Sequence, residues 1–400
     1  MNSVNSNILI INGGSSSIKF ALYGMDEKLK KILSGQIKRI GLDNPEFSVA
    51  HNLTHEKNEI IIDTTNFKEA AELLIEWLKK QKYFEETACI GHRIVHGMNH
   101  THPEIIDESL LKELNKISEY DPDHLPAEIG IIEFFKKQFP QLLQVACFDT
   151  SFHTTMPRVA KILPIPCRFD KSGIQRYGFH GLSFTYLMET LKNINAKDES
   201  KGRIILAHLG NGASLAAVKD GRSLDTTMGF TPAGGLVMGT RPGDLDPGVA
   251  WYMMHGEGMT AAKFNQLINH ESGLLGVSET SSDMQDLLQK ENEDVKVTEA
   301  VDLFCYSVKK WIGAFTAVLN GLDTLVFSGG IGENAPVIRS RICKEFDYLG
   351  IEIDEEENKK NATVISTGKS NVKVYMIPTD EEIIIAKSTK ELFINSKNKT

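Results

Sequence analysis

The sequence predicts an α/β protein made of two lobes with a duplicated fold. Three observations carry this reading. Short apolar runs bounded by Gly, Asp or Pro alternate with amphipathic segments. At 400 residues the chain is long enough for two separate cores. A Gly/Ser-rich loop near the start recurs half a chain later.

The apolar runs predict strands at residues 8–11, 20–23, 89–95, 145–148, 204–208, 215–219, 324–327 and 372–377. Helical spacing of apolar residues predicts helices at 67–80, 128–138, 182–194, 297–319 and 336–346. In the 297–319 segment Trp311 and Phe315 lie four apart on one face, a stripe that suits a core or a subunit contact better than a cofactor site.

The recurring loop reads Asn12-Gly-Gly-Ser-Ser-Ser-Ile-Lys19 in its first copy and His208-Leu-Gly-Asn-Gly-Ala-Ser-Leu215 in its second. Each lies between two strand candidates, as a hairpin turn does. Backbone N–H groups, hydroxyls and Lys19 in such turns suit a polyphosphate. Residues 328–335, Ser-Gly-Gly-Ile-Gly-Glu-Asn-Ala, also fit a dinucleotide fingerprint with Glu352 and Asp354 downstream. The adenosine side of an ATP site is preferred, because a dinucleotide would leave both hairpins without a task.

Charge and composition narrow the class. With 41% hydrophobic residues, 24% charged residues and a net charge of −9, nucleic acid is excluded as a partner, because binding it needs a basic face. No stretch approaches the ~20 apolar residues of a membrane span, and the first residues lack a basic leader, so the expected location is cytoplasmic. Five scattered cysteines without a metal-ligand spacing are expected to be reduced and buried.

Other segments carry chemistry. Arg241 lies in a Gly/Pro-rich stretch with Asp244 and Asp246, where a rigid loop could present a bidentate fork. Arg93 falls in a strand and must find an anion, since an unpaired internal charge is costly. The histidines around it (His92, His96, His100, His102) lack the partners of a zinc set. Asp149 ends a strand, where ligands of α/β proteins bind, and could serve a metal, act as a base or cap a turn. His180 stands between glycines at a helix entrance. Asp380, Glu381 and Glu382 are either a solvated helix start or a source of magnesium ligands.

Taken in order, IINGGSSSIKF, GHRIVHG, FDTSFHTTMP, RYGFHG, HLGNGAS, DTTMGFTP, MGTRPGDLDPG, ESGLLG, SSDM, SGGIGEN and PTDEE make the whole chain resemble the acetate kinases. The resemblance implies a duplicated two-lobed actin-like (ribonuclease H-like) ATPase fold with a nucleotide cleft between the lobes. The division expected is 1–151 with 383–400, and 152–382. It implies magnesium-dependent in-line phosphoryl transfer from ATP to acetate, giving acetyl phosphate and ADP, in a homodimer. The implied metal residues are Asn12 and Glu381. ATP would be met by Lys19, by His208, Leu209, Gly210, Asn211 and Gly212, by Asp283, Met284 and Gln285, and by Gly330, Ile331, Gly332, Glu333 and Asn334. Arg93 is implied as the carboxylate binder, with Val95, Phe179 and Pro232 around the acyl group; Asp149, His180 and Arg241 are the implied catalytic residues. Propionate or another short-chain fatty acid is the alternative substrate, and a non-catalytic ATP-binding protein of the same superfamily is the rival from another class.

The chain departs from that family at named places. Asp123-His-Leu-Pro-Ala-Glu128 stands where the family has Leu-His-Asn-Pro-x-Asn, so Asp123 replaces a leucine beside the acyl group. Phe184, Pro242 and Gln285 also differ from the family pattern.

Overall fold

In the computed structural model, residues 6–14, 17–41, 43–52, 54, 56–194 and 200–398 are described. They fall into two compact units, Met1–Ser151 with Asp380–Thr400, and Phe152–Thr379. The second boundary lies at 379/380 rather than at 383, because the helix Glu381–Asn398 belongs entirely to the first unit and packs on its sheet.

The strands of the first unit are β1 (Asn7–Gly13), β2 (Ile18–Gly24), β3 (Lys31–Lys38), β4 (Glu46–His51), β5 (Glu56–Ile61), β6 (Thr87–Ile94), β7 (Glu104–Ile105) and β8 (Leu143–Phe148). They form one sheet in the order β5-β4-β3-β2-β1-β6-β8-β7. The second unit holds β9 (Arg203–Leu209), β10 (Ala213–Lys219), β11 (Arg222–Thr226), β12 (Thr324–Ser328) and β13 (Lys373–Met376), ordered β11-β10-β9-β12-β13.

The duplication is visible in the pairing. β3-β2-β1 and β11-β10-β9 are antiparallel meanders, and β6-β8 and β12-β13 then add in parallel to β1 and β9 respectively. Both units therefore repeat one five-strand pattern. The two Gly-rich segments join β1 to β2 and β9 to β10, as hairpin turns; Ser15 and Ser16 of the first lie outside the described residues.

The central strands β1, β6, β8, β9 and β12 are near-continuous buried runs, as strands covered on both faces must be. One core gathers Leu9, Phe20, Leu22, Leu33, Leu74 and Phe135; another gathers Phe184, Leu187, Leu206, Val218 and Tyr375. The expected helix at 297–319 is Val295–Leu319, capped by Asp294, which accepts from Lys296 N, and ended by Asn320 in the left-handed region. Its buried residues Val297, Val301, Phe304, Val308, Ile312 and Phe315 recur every three or four positions, the spacing of one helix face.

The cysteine expectation needs correction. Cys89, Cys147, Cys305 and Cys343 are buried, but Cys167 is exposed, because the short helix Cys167–Lys171 buries none of its residues. Burial pushes the Cys89, Cys147 and Cys305 thiols up to about 12 and the Cys343 thiol higher still. One thiol per chain should react rapidly with an aromatic disulfide reagent near neutral pH, the other four only on unfolding, and Cys167→Ser should abolish the fast phase.

Gly91 in β6 allows the closest approach of the last helix. A Cβ there would lie 2.3 Å from Thr389 Oγ1 and 2.6 Å from Ile385 Cγ2. Gly91→Ala should therefore destabilise the first unit by about 1–3 kcal/mol, the usual cost of overpacking, seen as a lower urea midpoint by circular dichroism.

Candidate functional site

In the first unit the sheet register assembles the site. β6 pairs in parallel with both β1 and β8, setting Ile11 beside His92 and Ile94 beside Phe148. The next residues along these strands, Asn12, Arg93 and Asp149, come together at their carboxyl ends, where α/β proteins bind ligands. Arg93 Nη2 donates to Asp149 Oδ2 at 2.8 Å, and Arg93 Nη1 donates to the Gly13 carbonyl at 3.3 Å. The Arg93 side chain is 14% exposed and that of Asp149 wholly buried, so the expected anion for the strand arginine is Asp149.

A second carboxylate reaches the same guanidinium. Glu128, in the first turn of the helix Leu125–Gln138, places Oε1 3.6 Å from Arg93 Nη1, while its Oε2 accepts from Val95 N at 2.9 Å. Burial alone would lower the Arg93 guanidinium; the charges of Asp149, Glu128 and Glu381 outweigh it and leave Arg93 above its ordinary value. Burial pushes Glu128 up to about 8, because Arg93 at 3.6 Å and the Val95 N–H only partly offset the lost hydration. Glu128 was not among the residues expected from sequence. Its only signal was a charged residue where the resembling family carries an amide.

Asn12 and Glu381 also meet here: Asn12 Nδ2 donates to Glu381 Oε2 at 3.2 Å. Lys19 sits across the hairpin from Asn12 in the β1–β2 register. Desolvation and then the Asp149 charge push Glu381 above the usual carboxylate range, with Arg93, Lys19 and Asn12 pulling it back. Its neighbours Asp380 and Glu382 are tied instead to Lys31, at 3.2 and 2.9 Å. Of the acidic triplet, Glu381 is the residue hydrogen-bonded to Asn12 among the described residues.

In the second unit the cluster forms around the β9–β10 hairpin. His180 has φ +58, a left-handed conformation costly for a side chain of this size, and it is held from several sides. Its Nδ1 hydrogen-bonds Ser214 Oγ at 2.8 Å, and its ring stacks on that of His208 at 4.2 Å. His208 Nδ1 in turn pairs with Ser183 Oγ at 2.8 Å, and Ser183 Oγ with Thr379 Oγ1 at 2.9 Å. A Cβ on Gly212 would lie 3.1 Å from Arg241 Nη2 and 3.4 Å from His180 Nε2, so the glycine lets both side chains crowd the loop. Arg241 Nη1 donates to the Pro232 carbonyl at 2.8 Å, and Phe179, just before His180, is buried with its carbonyl paired to His153 Nε2 at 3.0 Å. His208, Gly212, His180, Arg241 and Pro232 thus share one place.

The remaining expected segments border that hairpin. Gly239 N donates to the Asn211 carbonyl, and a Cβ on Gly239 would lie 3.1 Å from Ser282 O, which brings residues 283–285 alongside. Asp283 caps the helix Met284–Lys290 by accepting from Gln285 N; Met284 is buried and Gln285 exposed. Gly330 N lies 3.7 Å from the Cβ position of Gly210, and a Cβ on Gly332 would lie 3.7 Å from Leu209 Cβ. Glu333 Oε1 accepts from Gly329 N at 2.9 Å and Thr379 N at 3.0 Å, so this carboxylate ties the helix Gly329–Asn334 to the chain after β13. Arg339, fully buried and missed from sequence, donates to the Gly332 and Glu333 carbonyls at 2.8 and 3.1 Å and to the Asn358 and Asn361 side chains, each at 2.7 Å. Burial lowers it to about 10. Asp354, the acid that would serve a dinucleotide, caps the helix Glu355–Lys359 with its own carboxylate.

Each unit thus presents cations, buried polar side chains and a glycine hairpin at the carboxyl ends of its parallel strands, the arrangement of an α/β enzyme that handles anionic ligands. The comparisons with known proteins specify the family. The acetokinase family profile matches residues 7–387. An acetate kinase of Carboxydothermus hydrogenoformans is 42% identical over 97% of this chain and 99% of that protein. A solved propionate kinase of Francisella tularensis superposes with a TM-score of 0.90 at 36% identity, covering 96% of this chain and 99% of that one. A solved acetate kinase of Porphyromonas gingivalis gives 0.86 at 37% identity, covering 97% and 99%. The chain belongs to the acetokinase family, and it is a phosphotransferase.

Replacing Arg93 by leucine would leave Asp149 and Glu128 buried without their cation, at a cost of about 3–5 kcal/mol. Burial already favours the proton on Glu128 and loss of the Arg93 charge favours it further, so stability falls as pH rises and is partly regained in acid. Thermal unfolding of Arg93→Leu at pH 5 and pH 8 should show the larger deficit at pH 8.

Proposed function

We propose that this protein is an acetate kinase: it transfers the γ-phosphoryl group of ATP to acetate, reversibly, giving acetyl phosphate and ADP. The observation that carries the reading is Arg93, held at the strand ends by buried Asp149, in a chain of this family. Arg93 presents the fork that a carboxylate needs, and its Nε is buried without a hydrogen-bond partner among the described residues, a donor left for a ligand.

The acid's carboxylate is already ionised at neutral pH, so its attack on phosphorus requires no proton removal. One acid oxygen forms the new O–P bond as the bond from phosphorus to the β,γ-bridging oxygen breaks, and ADP leaves with that electron pair. Arg93 orients the acid. Asp149 acts as the catalytic carboxylate by holding that guanidinium in place. His180 and Arg241, crowded on the Gly212 loop, neutralise charge on the transferring phosphoryl group. Val95, Phe179 and Pro232 line the acyl group. Lys19 and the segments His208–Gly212, 283–285 and 330–334 hold ATP, with Arg339 keeping the last of these in place.

Magnesium suits the donor set at Asn12 and Glu381. An amide oxygen and a desolvated carboxylate are hard oxygen ligands, and magnesium takes few protein ligands alongside phosphates. When bound, it supplies charge neutralisation along the phosphate chain. We also propose a homodimer, supported by the exposed Tyr306 and Val318 on the helix Val295–Leu319.

Propionate is the second substrate reading, supported by the likeness to the Francisella propionate kinase and by Asp123 at the acyl position. One methylene is worth only ~1–3 kcal/mol, so the two acids differ in rate rather than in kind. Trapping the acyl phosphate with hydroxylamine, using acetate, propionate and butyrate, tests both; no hydroxamate from any of them would refute the kinase reading. Arg241→Ala should lower kcat by about 10³-fold, and unchanged acetate-dependent ADP formation would remove Arg241 from the mechanism.

A further inference from the structure

The acid site of the first unit has more carboxylate than one arginine can match. Asp149 and Glu128 both face Arg93, and Glu381 adds a third negative charge to its surroundings. Asp149 makes the close hydrogen bond, at 2.8 Å. Glu128 stops at 3.6 Å from Nη1, and among the described residues its Oε1, like Arg93 Nε, is buried without a hydrogen-bond partner. The Glu128 side chain is 2% exposed, so water does not screen it. An incoming substrate carboxylate would be a further negative group on the same guanidinium.

We propose that Glu128 is a positioning and specificity residue of the acid site, an internal carboxyl group that supports substrate binding when neutral and competes with the substrate for Arg93 when ionised. The inference rests on the reading that Arg93 holds the acid. Geometry gives Glu128 two links to that site. Its Oε2 holds the backbone N–H of Val95, two residues beyond Arg93, and its Oε1 confronts the guanidinium. Neutral Glu128 keeps the Val95 contact and adds no charge. Ionised Glu128 occupies the Nη1 side of Arg93 and repels the acid. Val95 also lies among the acyl-lining residues, so the link reaches the acid's tail as well as its head.

The charged groups facing Glu128 are Arg93 from β6, Asp149 from the end of β8, and Asp121 from its own lead-in loop, whose Oδ1 is bonded to His124 Nδ1 at 2.8 Å. Two of these three are anions, so they and burial favour the proton on Glu128, which is held up to about 8. The acid substrate itself stays ionised throughout this range, since simple carboxylic acids titrate near 4.

If only the neutral form binds acid, the competent fraction falls about tenfold between pH 7 and pH 9, and KM for the acid rises by about that factor. KM for ATP should not follow it. In Glu128→Gln, which keeps an acceptor for Val95 N and cannot ionise, KM for the acid should be level over the same range and below that of the unaltered enzyme at pH 9. Glu128→Leu, which loses the Val95 contact as well, separates structure from charge: a raised KM at every pH, without the upward slope, is expected. Equal slopes in the unaltered enzyme and Glu128→Gln, or a level profile in the unaltered enzyme alone, would overturn the inference. Arg93→Lys keeps charge but loses the fork; if it leaves KM for the acid unchanged, the placement of the substrate on Arg93 fails instead.

Discussion

Arg93 is an internal cation on a central parallel strand, and much of the first unit is arranged to keep it tolerable. A guanidinium at that position costs several kcal/mol unless a carboxylate reaches it. The parallel register of β1, β6 and β8 brings Asp149 within 2.8 Å on one side and the Gly13 carbonyl within 3.3 Å on the other. A slip of one residue in β6 would turn the arginine to the opposite face of the sheet, away from both. The last helix, Glu381–Asn398, completes the arrangement from 232 residues beyond Asp149, because Gly91 lets it press against β6 and bring Glu381 to Asn12. Sheet register, helix packing and electrostatic balance are one requirement here.

The second unit meets the same problem with different means. Its Arg241 and His180 lie on turns rather than strands, and turns need fixing. His180 is held in the left-handed region by Ser214, by the stack on His208 and by the helix it opens, whose Phe184 N–H bonds its carbonyl. Gly273, at φ +62, packs under the backbone of Met238 and Arg241 where no side chain would fit. Arg339 then fixes the glycine segment after β12 through carbonyl oxygens and asparagine side chains, with no carboxylate partner among the described residues. Such preorganisation is what phosphoryl transfer needs, since its catalysis is mostly positioning and charge neutralisation.

The departures from the family pattern have distinct physical characters. Phe184 is fully buried against Phe152 and His153, so it is part of the core. Gln285 is exposed beyond the Asp283 cap. Glu128 alone adds a buried charge beside the arginine, and for that reason it bears more on the chemistry than the other substitutions.

The sequence by itself determined what local chemistry can show. The buried runs of β1, β6, β8, β9 and β12 and the long helix Val295–Leu319 were legible because their apolar periodicity is strong. So were the two hairpin loops, since glycines between apolar strands leave few alternatives. β3, β4 and β5 were not legible: their burial is partial or absent, β5 being exposed throughout, and none carries the continuous apolar run that marks the central strands. The exposed Cys167 was missed because a cysteine's spacing says nothing about its depth. Residue names also suggested Arg93, Asp149, His180 and Arg241, but not their partners. Only the tertiary structure decided that Asp149 and Glu128 share one guanidinium, that Asp380 and Glu382 pair with Lys31, and that Arg339 holds the glycine segment. Those outcomes depend on distances of a few ångströms between residues far apart in the chain, and Coulomb and hydrogen-bond energies change steeply over such distances.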